Sequence, residues 1–172
     1  AGVSVMTVSR AFRSDASITD STREHIRKVA DELGYVFDSV ASNLRSQRSG
    51  FVAVTIPSIN NANFAETVGG LTSRLDAAGL QVLLGRTNYD MAEEERLIGQ
   101  LLRRQPEALV VTGGHHTDRA RRMMQNAGIP VVETWDLPRR PLGHVVGFSN
   151  AGAMRVMVAH LTGRGYRRIA FI

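Results

Sequence analysis

Residues 51–57 read FVAVTIP, a run of apolar and β-branched residues closed by a proline. A strand that is apolar almost without interruption buries both of its faces, as strands of a covered parallel sheet do. Working outward toward the C-terminus, helical periodicity follows over 64–78, then an apolar run at 81–84, a helix at 91–104, a run at 108–112, a helix at 118–127 and a run at 131–134. A strand at 144–148, a helix at 151–161 and a last strand RRIAFI at 167–172 complete the pattern. This alternation predicts an α/β fold built on a doubly wound parallel sheet with helices on both faces. Asp90 followed by Glu93 predicts a capping box at the start of the 91–104 helix, which explains the acidic run EEE without a metal.

Working outward in the other direction, residues 39–50 are polar and rich in small residues apart from Val40, Ala41 and Leu44, and read as a linker able to form a short helix. Before it the pattern is helical throughout. In AGVSVMTVSRAF (1–12), Gly2 suits a left-handed turn and Ser4 suits a helix cap. At about 100° per residue, Thr7, Val8, Ala11 and Phe12 fall on one side of the helix and Val5, Met6, Ser9 and Arg10 on the other. The second face, with a guanidinium beside small and apolar groups, suits the major groove, where Arg bonds guanine and apolar groups meet thymine methyls. An ordinary surface helix would show the same short pattern. A second helix, capped by Thr19 and closed by Gly34, carries the stripe Ile26, Val29, Ala30 and Leu33 and is expected to brace the first.

Composition bounds the function. The 172 residues carry 21 basic and 16 acidic side chains, a formal net charge of +5, so an anionic partner or nucleic acid is plausible. Residues 1–50 hold seven basic and six acidic side chains, too even a balance for charge alone to mark a DNA-binding end. The absence of cysteine removes disulfides, thiolate zinc and a thiol nucleophile. No apolar run has the ~18 residues needed to cross a bilayer, and a cytoplasmic protein is expected. No GxGxxG, GxxxxGK[ST] or GxSxG motif is present, so neither an enzyme nor a cofactor is expected.

AGVSVMTVSRAF, then TREHIRKVADELGY, then SVASNLRS resemble, in order and spacing, the LacI (lactose/galactose repressor) family of bacterial transcription regulators. The resemblance implies a small all-α helix-turn-helix headpiece (1–37), a hinge helix and linker (38–50), and a subdomain like that of periplasmic binding proteins (51–172). By the family pattern, Val5, Met6 and Arg10 read bases, with Ser9 on the same face. Ser4, Thr7, Thr19 and Tyr35 hold the phosphate backbone, and Leu44 wedges into the minor groove. Such a wedge unstacks a base step, and two copies from a homodimer would meet at the centre of a palindromic operator. The family usually shows Pro-Asn where this chain has Phe37 and Asp38. The resemblance further implies that the chain starts inside the turn of the helix-turn-helix motif and ends on the strand opening a second subdomain. It is therefore expected to be incomplete at both ends and a poor operator binder on its own.

Ligands of open parallel sheets sit beyond the carboxyl ends of the strands. The loops there supply Asn63, Phe64, Arg86, Thr112, His115, His116, Trp135 and Asp136 as candidate effector-binding residues. Polar groups around an aromatic wall suit a hydroxylated ligand. The segments INNANFAE, HHTDRA, AGIPVVETWD and VVGFSNAGA resemble the gluconate-repressor branch, which implies a sugar or sugar-acid effector such as gluconate. His115, His116 and Arg86 could meet its carboxylate. A metal on the two histidines is disfavoured, since adjacent loop residues seldom converge on one ion. A periplasmic-type sugar-binding protein without DNA binding would share the sheet but not residues 1–48.

Overall fold

The computed structural model describes residues 1–12, 18–36 and 48–170. The chain falls into two compact units, Ala1–Gln47 and Arg48–Ile172.

In the first unit, α1 (Val5–Ala11) and α2 (Asp20–Glu32) are each opened by a hydroxyl cap. Ser4 Oγ accepts from Thr7 N–H at 3.2 Å and Thr19 Oγ1 from Thr22 N–H at 3.4 Å, satisfying donors that have no intrahelical partner. Ala11, Ile26 and Ala30 are buried between the helices. Arg23 ties them further, its Nη1 donating to the carbonyl of Ala11 at 3.1 Å. Leu33 departs from the expected stripe and is 76% exposed. It follows the last residue of α2, where Tyr35 N–H turns back to Ala30 O and Gly34, at φ 61°, leads the chain off the helical path.

The second unit is a five-stranded parallel sheet of order β2-β1-β3-β4-β5, with β1 (Phe51–Ile56), β2 (Gln81–Arg86), β3 (Leu109–Thr112), β4 (Val131–Thr134) and β5 (His144–Val146). Its helices are α3 (Ala62–Ala77), α4 (Met91–Leu102), α5 (Asp118–Gln125) and α6 (Asn150–Gly163). The two-residue repeat of the strands divides their apolar residues between two layers. Ala53, Leu109, Val111 and Val131 pack with Ile98 and Leu101 of α4 and Ala120 and Met124 of α5. Val52, Val54, Ile56 and Val110 pack with Phe64, and Val68, Leu71 and Leu75 of the same α3 close over them. The doubly wound arrangement is thus written in the strands themselves.

Three local expectations change. Strand β2 runs through Arg86, two residues past the expected end, because Thr87 and Asn88 continue to donate to Ile56 and Pro57 carbonyls. The capping box is half formed: Asp90 Oδ1 accepts from Ala92 and Glu93 N–H, but the Glu93 carboxylate pairs with Arg96 instead of returning to Asp90. Those hydrogen bonds hold the Glu93 carboxyl below its ordinary pKa. The expected last strand does not form over the described residues 167–170, whose backbone has no neighbouring strand to pair with among the described residues. Among the described residues no helix is long and apolar enough to cross a membrane.

Candidate functional site

The first candidate surface is α1. Val5 and Met6 are 87% and 64% exposed, and Arg10 is exposed one turn on, while Ala11 is fully buried. The apolar side chains of Val5 and Met6 therefore stand in solvent on a helix whose opposite side is braced. Ser4 is engaged in the cap, its hydroxyl 2.9 Å from that of Thr7, and Thr19 does the same for α2. Thr7 and Ser9 are half-buried. Tyr35 is exposed, its ring centroid 6.4 Å from that of Phe12. Leu44 lies outside the described residues.

The second candidate surface is the carboxyl edge of the sheet. Parallel register aligns Ile56 with Arg86, Thr112 with Thr134, and Thr134 with Val146, so these strand ends share one rim. Trp135 follows directly. Its φ of 69° is unusual for a bulky residue, and its N–H donates to Val146 O at 3.1 Å. The bend sets the indole edge-on to Phe64, with centroids 5.3 Å apart, and to Phe148 at 6.1 Å. Trp135, Phe148, Thr67, Thr134, Val146 and Gly147 line a mainly apolar pocket of about 330 Å³. Asn150 Nδ2 fixes the bend from below, donating to Trp135 O at 2.9 Å and to Asp136 Oδ1 at 3.3 Å.

The remaining candidates separate. Asn63 is exposed in the first turn of α3, and Arg86 is exposed at the end of β2. The Thr112 hydroxyl is spent on the sheet, donating to Thr55 O at 3.0 Å. His115 and Asp136 belong to a neighbouring pocket of about 540 Å³.

His116 is a correction: it faces inward, not toward a ligand. Its side chain is fully buried, with Nδ1 2.9 Å from Glu94 Oε2 and Nε2 3.6 Å from Glu133 Oε1. The cause is the next residue. Thr117 caps α5 and donates its hydroxyl to Glu95, which commits the backbone so that His115 and His116 take opposite sides. Glu133 in turn accepts from Leu142 N–H at 2.6 Å.

Sequence reasoning missed Thr67, Gly147 and the Pro138 to Arg140 stretch. The available signal was the length of the β4 to β5 connection, LPRRPLG, which leaves the carboxyl end of a strand and carries no helical pattern.

With this geometry in place, the comparisons are specific. Residues 1–38 match the bacterial regulatory proteins of the lacI family. The HTH-type transcriptional regulator GntR of Pseudomonas aeruginosa is 42% identical over the whole of this chain, which spans 50% of that relative. The chain belongs to the LacI family. The HTH-type transcriptional regulator GntR of Escherichia coli K12 is 36% identical over 99% of the chain and is spanned to 52%. A LacI-family regulator from Silicibacter pomeroyi superposes with a TM-score of 0.89 at 40% identity, over 97% of this chain and 50% of that one. This LacI-family chain therefore spans about half the length of the curated relatives it matches.

Proposed function

We propose that the protein is a sequence-specific DNA-binding transcriptional regulator, acting as a repressor and controlled by a small sugar or sugar-acid effector. The observation that carries this reading is α1, which presents Val5, Met6 and Arg10 outward from a capped and braced helix. Apolar groups beside a guanidinium match the thymine methyl and the guanine edge in a major groove. Regulators named GntR and IdnR among the relatives favour the same reading. In this reading Ser4, Thr7, Thr19 and Tyr35 hold the backbone, Leu44 enters the minor groove, and the boundaries are 1–37, 38–50 and 51–172.

The effector sits at the carboxyl edge of the sheet, its polyol C–H face against Trp135 and Phe64, with gluconate the favoured compound. A homodimer reading a palindromic operator, housed in the cytoplasm and without catalytic chemistry, completes the proposal. A periplasmic-type binding protein would have no use for the braced helix in residues 1–36. The test is a mobility-shift titration of full-length protein on a palindromic operator probe across salt concentrations, with and without gluconate. A salt-dependent shift that gluconate alters supports the reading; no specific shift at any salt overturns it.

A further inference from the structure

Residues 48–50 bring the chain from the first unit into β1, and a carboxylate distant in sequence takes hold of them. Glu107 Oε1 accepts from the Gly50 N–H at 3.0 Å, and Glu107 Oε2 accepts from both Nε and Nη2 of Arg48 at 3.3 Å. Backbone bonds pin the other side of the same point: Gln81 N–H donates to Gly50 O and Glu107 N–H to Phe51 O, each at 2.9 Å. The Ser49 hydroxyl is buried without a hydrogen-bond partner among the described residues and adds no hold of its own. Glu107 itself stands on a stiff base. Gln105 takes φ 54° as the chain leaves α4, Pro106 is buried, and Ala108 O accepts from Ala53 N–H where β3 begins beside β1.

The two halves of this grip are unequal. The Arg48 side chain is 71% exposed, so its ion pair is largely screened by water. The Gly50 N–H is a part-buried donor to a carboxylate that is only 20% exposed, a charge-assisted bond of the stronger kind. Its aim depends on one torsion angle. With Gly50 O fixed by Gln81, φ decides where the N–H and the preceding chain point, and its value of 77° delivers the N–H to Glu107. An L side chain seldom takes that angle. Glycine is required here by the direction of the chain and not by crowding, since nothing lies within 4 Å of a Cβ built on it.

We infer that Glu107 is a positioning residue for operator binding: by clamping Gly50 it fixes the direction in which the linker leaves the sheet. A homodimer engages a palindrome with two reading helices. The second engagement is intramolecular, so its strength depends on how narrowly the linker roots confine the helices. A single half-site asks for no such confinement. The inference rests on the proposed DNA-binding reading and adds to it a residue at the amino end of β3, away from the candidate effector edge.

The experiment uses full-length protein and the palindromic duplex that it selects from a random library, with a second duplex in which one half-site is scrambled. Binding is followed by fluorescence anisotropy for wild type, Glu107→Ala, Glu107→Gln and Gly50→Val, with thermal unfolding of each. Glu107→Ala is expected to lose about tenfold or more on the palindrome and less than about threefold on the half-site. Glu107→Gln keeps an acceptor for the Gly50 N–H and is expected to stay within about threefold of wild type on both duplexes. Gly50→Val leaves the carboxylate in place and withdraws the N–H, at a position open to a side chain, and is expected to repeat the selective loss. A folded Glu107→Ala protein that matches wild type on the palindrome, or loses equally on both duplexes, overturns the inference and leaves the DNA-binding reading standing. If Glu107→Ala does not fold, the same outcomes for Gly50→Val decide. A Glu107→Gln protein as weak on the palindrome as Glu107→Ala also overturns the clamp on Gly50. A wild type that selects no duplex overturns both the inference and the reading beneath it.

Discussion

The indole of Trp135 meets the ring of Phe64 edge-on, at 5.3 Å between centroids and 71° between planes, and so joins the strand-end rim to the packed layer beneath α3. Phe64 is buried in that layer, whereas Trp135 is only partly covered. The pair therefore gives the pocket a wall that is rigid on one side and open on the other. Trp135→Ala is expected to weaken effector binding about tenfold or more, because the wall is lost while the sheet is kept. Calorimetry with the effector that full-length protein binds best provides the check, and unchanged affinity would remove Trp135 from the site. Trp135 is also the single tryptophan of the chain, so its emission is expected to shift as ligand fills the pocket.

Much of this fold was legible because each signal was local. FVAVTI names both packing layers through its alternate residues, and Ser4, Thr19 and Asp90 announce helix starts by a chemistry that needs only the next few residues. Arg10 and Val5 were placed correctly on the free face by the helical period alone. What escaped depends on groups distant in sequence. His116 reads as a loop ligand until Glu94 and Glu133, each about twenty residues away, are seen to enclose it. Leu33 fits the apolar stripe but lies beyond the last turn that α2 offers to α1. The arginines of the β4 to β5 connection were passed over because a loop has no periodicity from which to read direction.

Gly147 is required by a close approach of two backbones. A Cβ there would lie 2.4 Å from Asp136 O and 2.7 Å from Asp136 N. Gly147→Ala is therefore expected to destabilise the second unit by about 1–3 kcal/mol, through displacement of the Trp135 bend. Gly69→Ala is the matched control. It lies within α3 with nothing within 4 Å of the added carbon, and is expected to be neutral or to stabilise by up to ~1 kcal/mol. Denaturant midpoints of the two variants check the contrast, and equal midpoints would show that the approach is not rigid.

The buried cluster of Glu94, His116 and Glu133 predicts opposite fates for adjacent histidines. His116→Ala strips Glu94 of its partner at 2.9 Å and is expected to cost about 1–3 kcal/mol. His115→Ala removes an exposed ring and is expected to change stability by under ~0.5 kcal/mol, with its effect confined to ligand affinity. Urea unfolding followed by circular dichroism distinguishes them. A stable His116→Ala protein would mean that the cluster holds nothing together.

On the proposed reading, Arg10 and Ser4 separate base contact from helix integrity in the first unit. Arg10 is exposed and its loss leaves the packing of Ala11 on Ile26 and Ala30 intact, so Arg10→Ala is expected to fold normally. Operator affinity is expected to fall by about 1–3 kcal/mol, with relaxed preference at a single guanine position. Ser4→Ala removes the acceptor for Thr7 N–H and is expected to cost about 1 kcal/mol of helix stability, weakening all operator variants alike. Titrating full-length protein against a set of single-base operator variants measures both effects. If Arg10→Ala lowers affinity uniformly across the set, the guanidinium holds phosphate, and base selection on this face passes to Val5 and Met6.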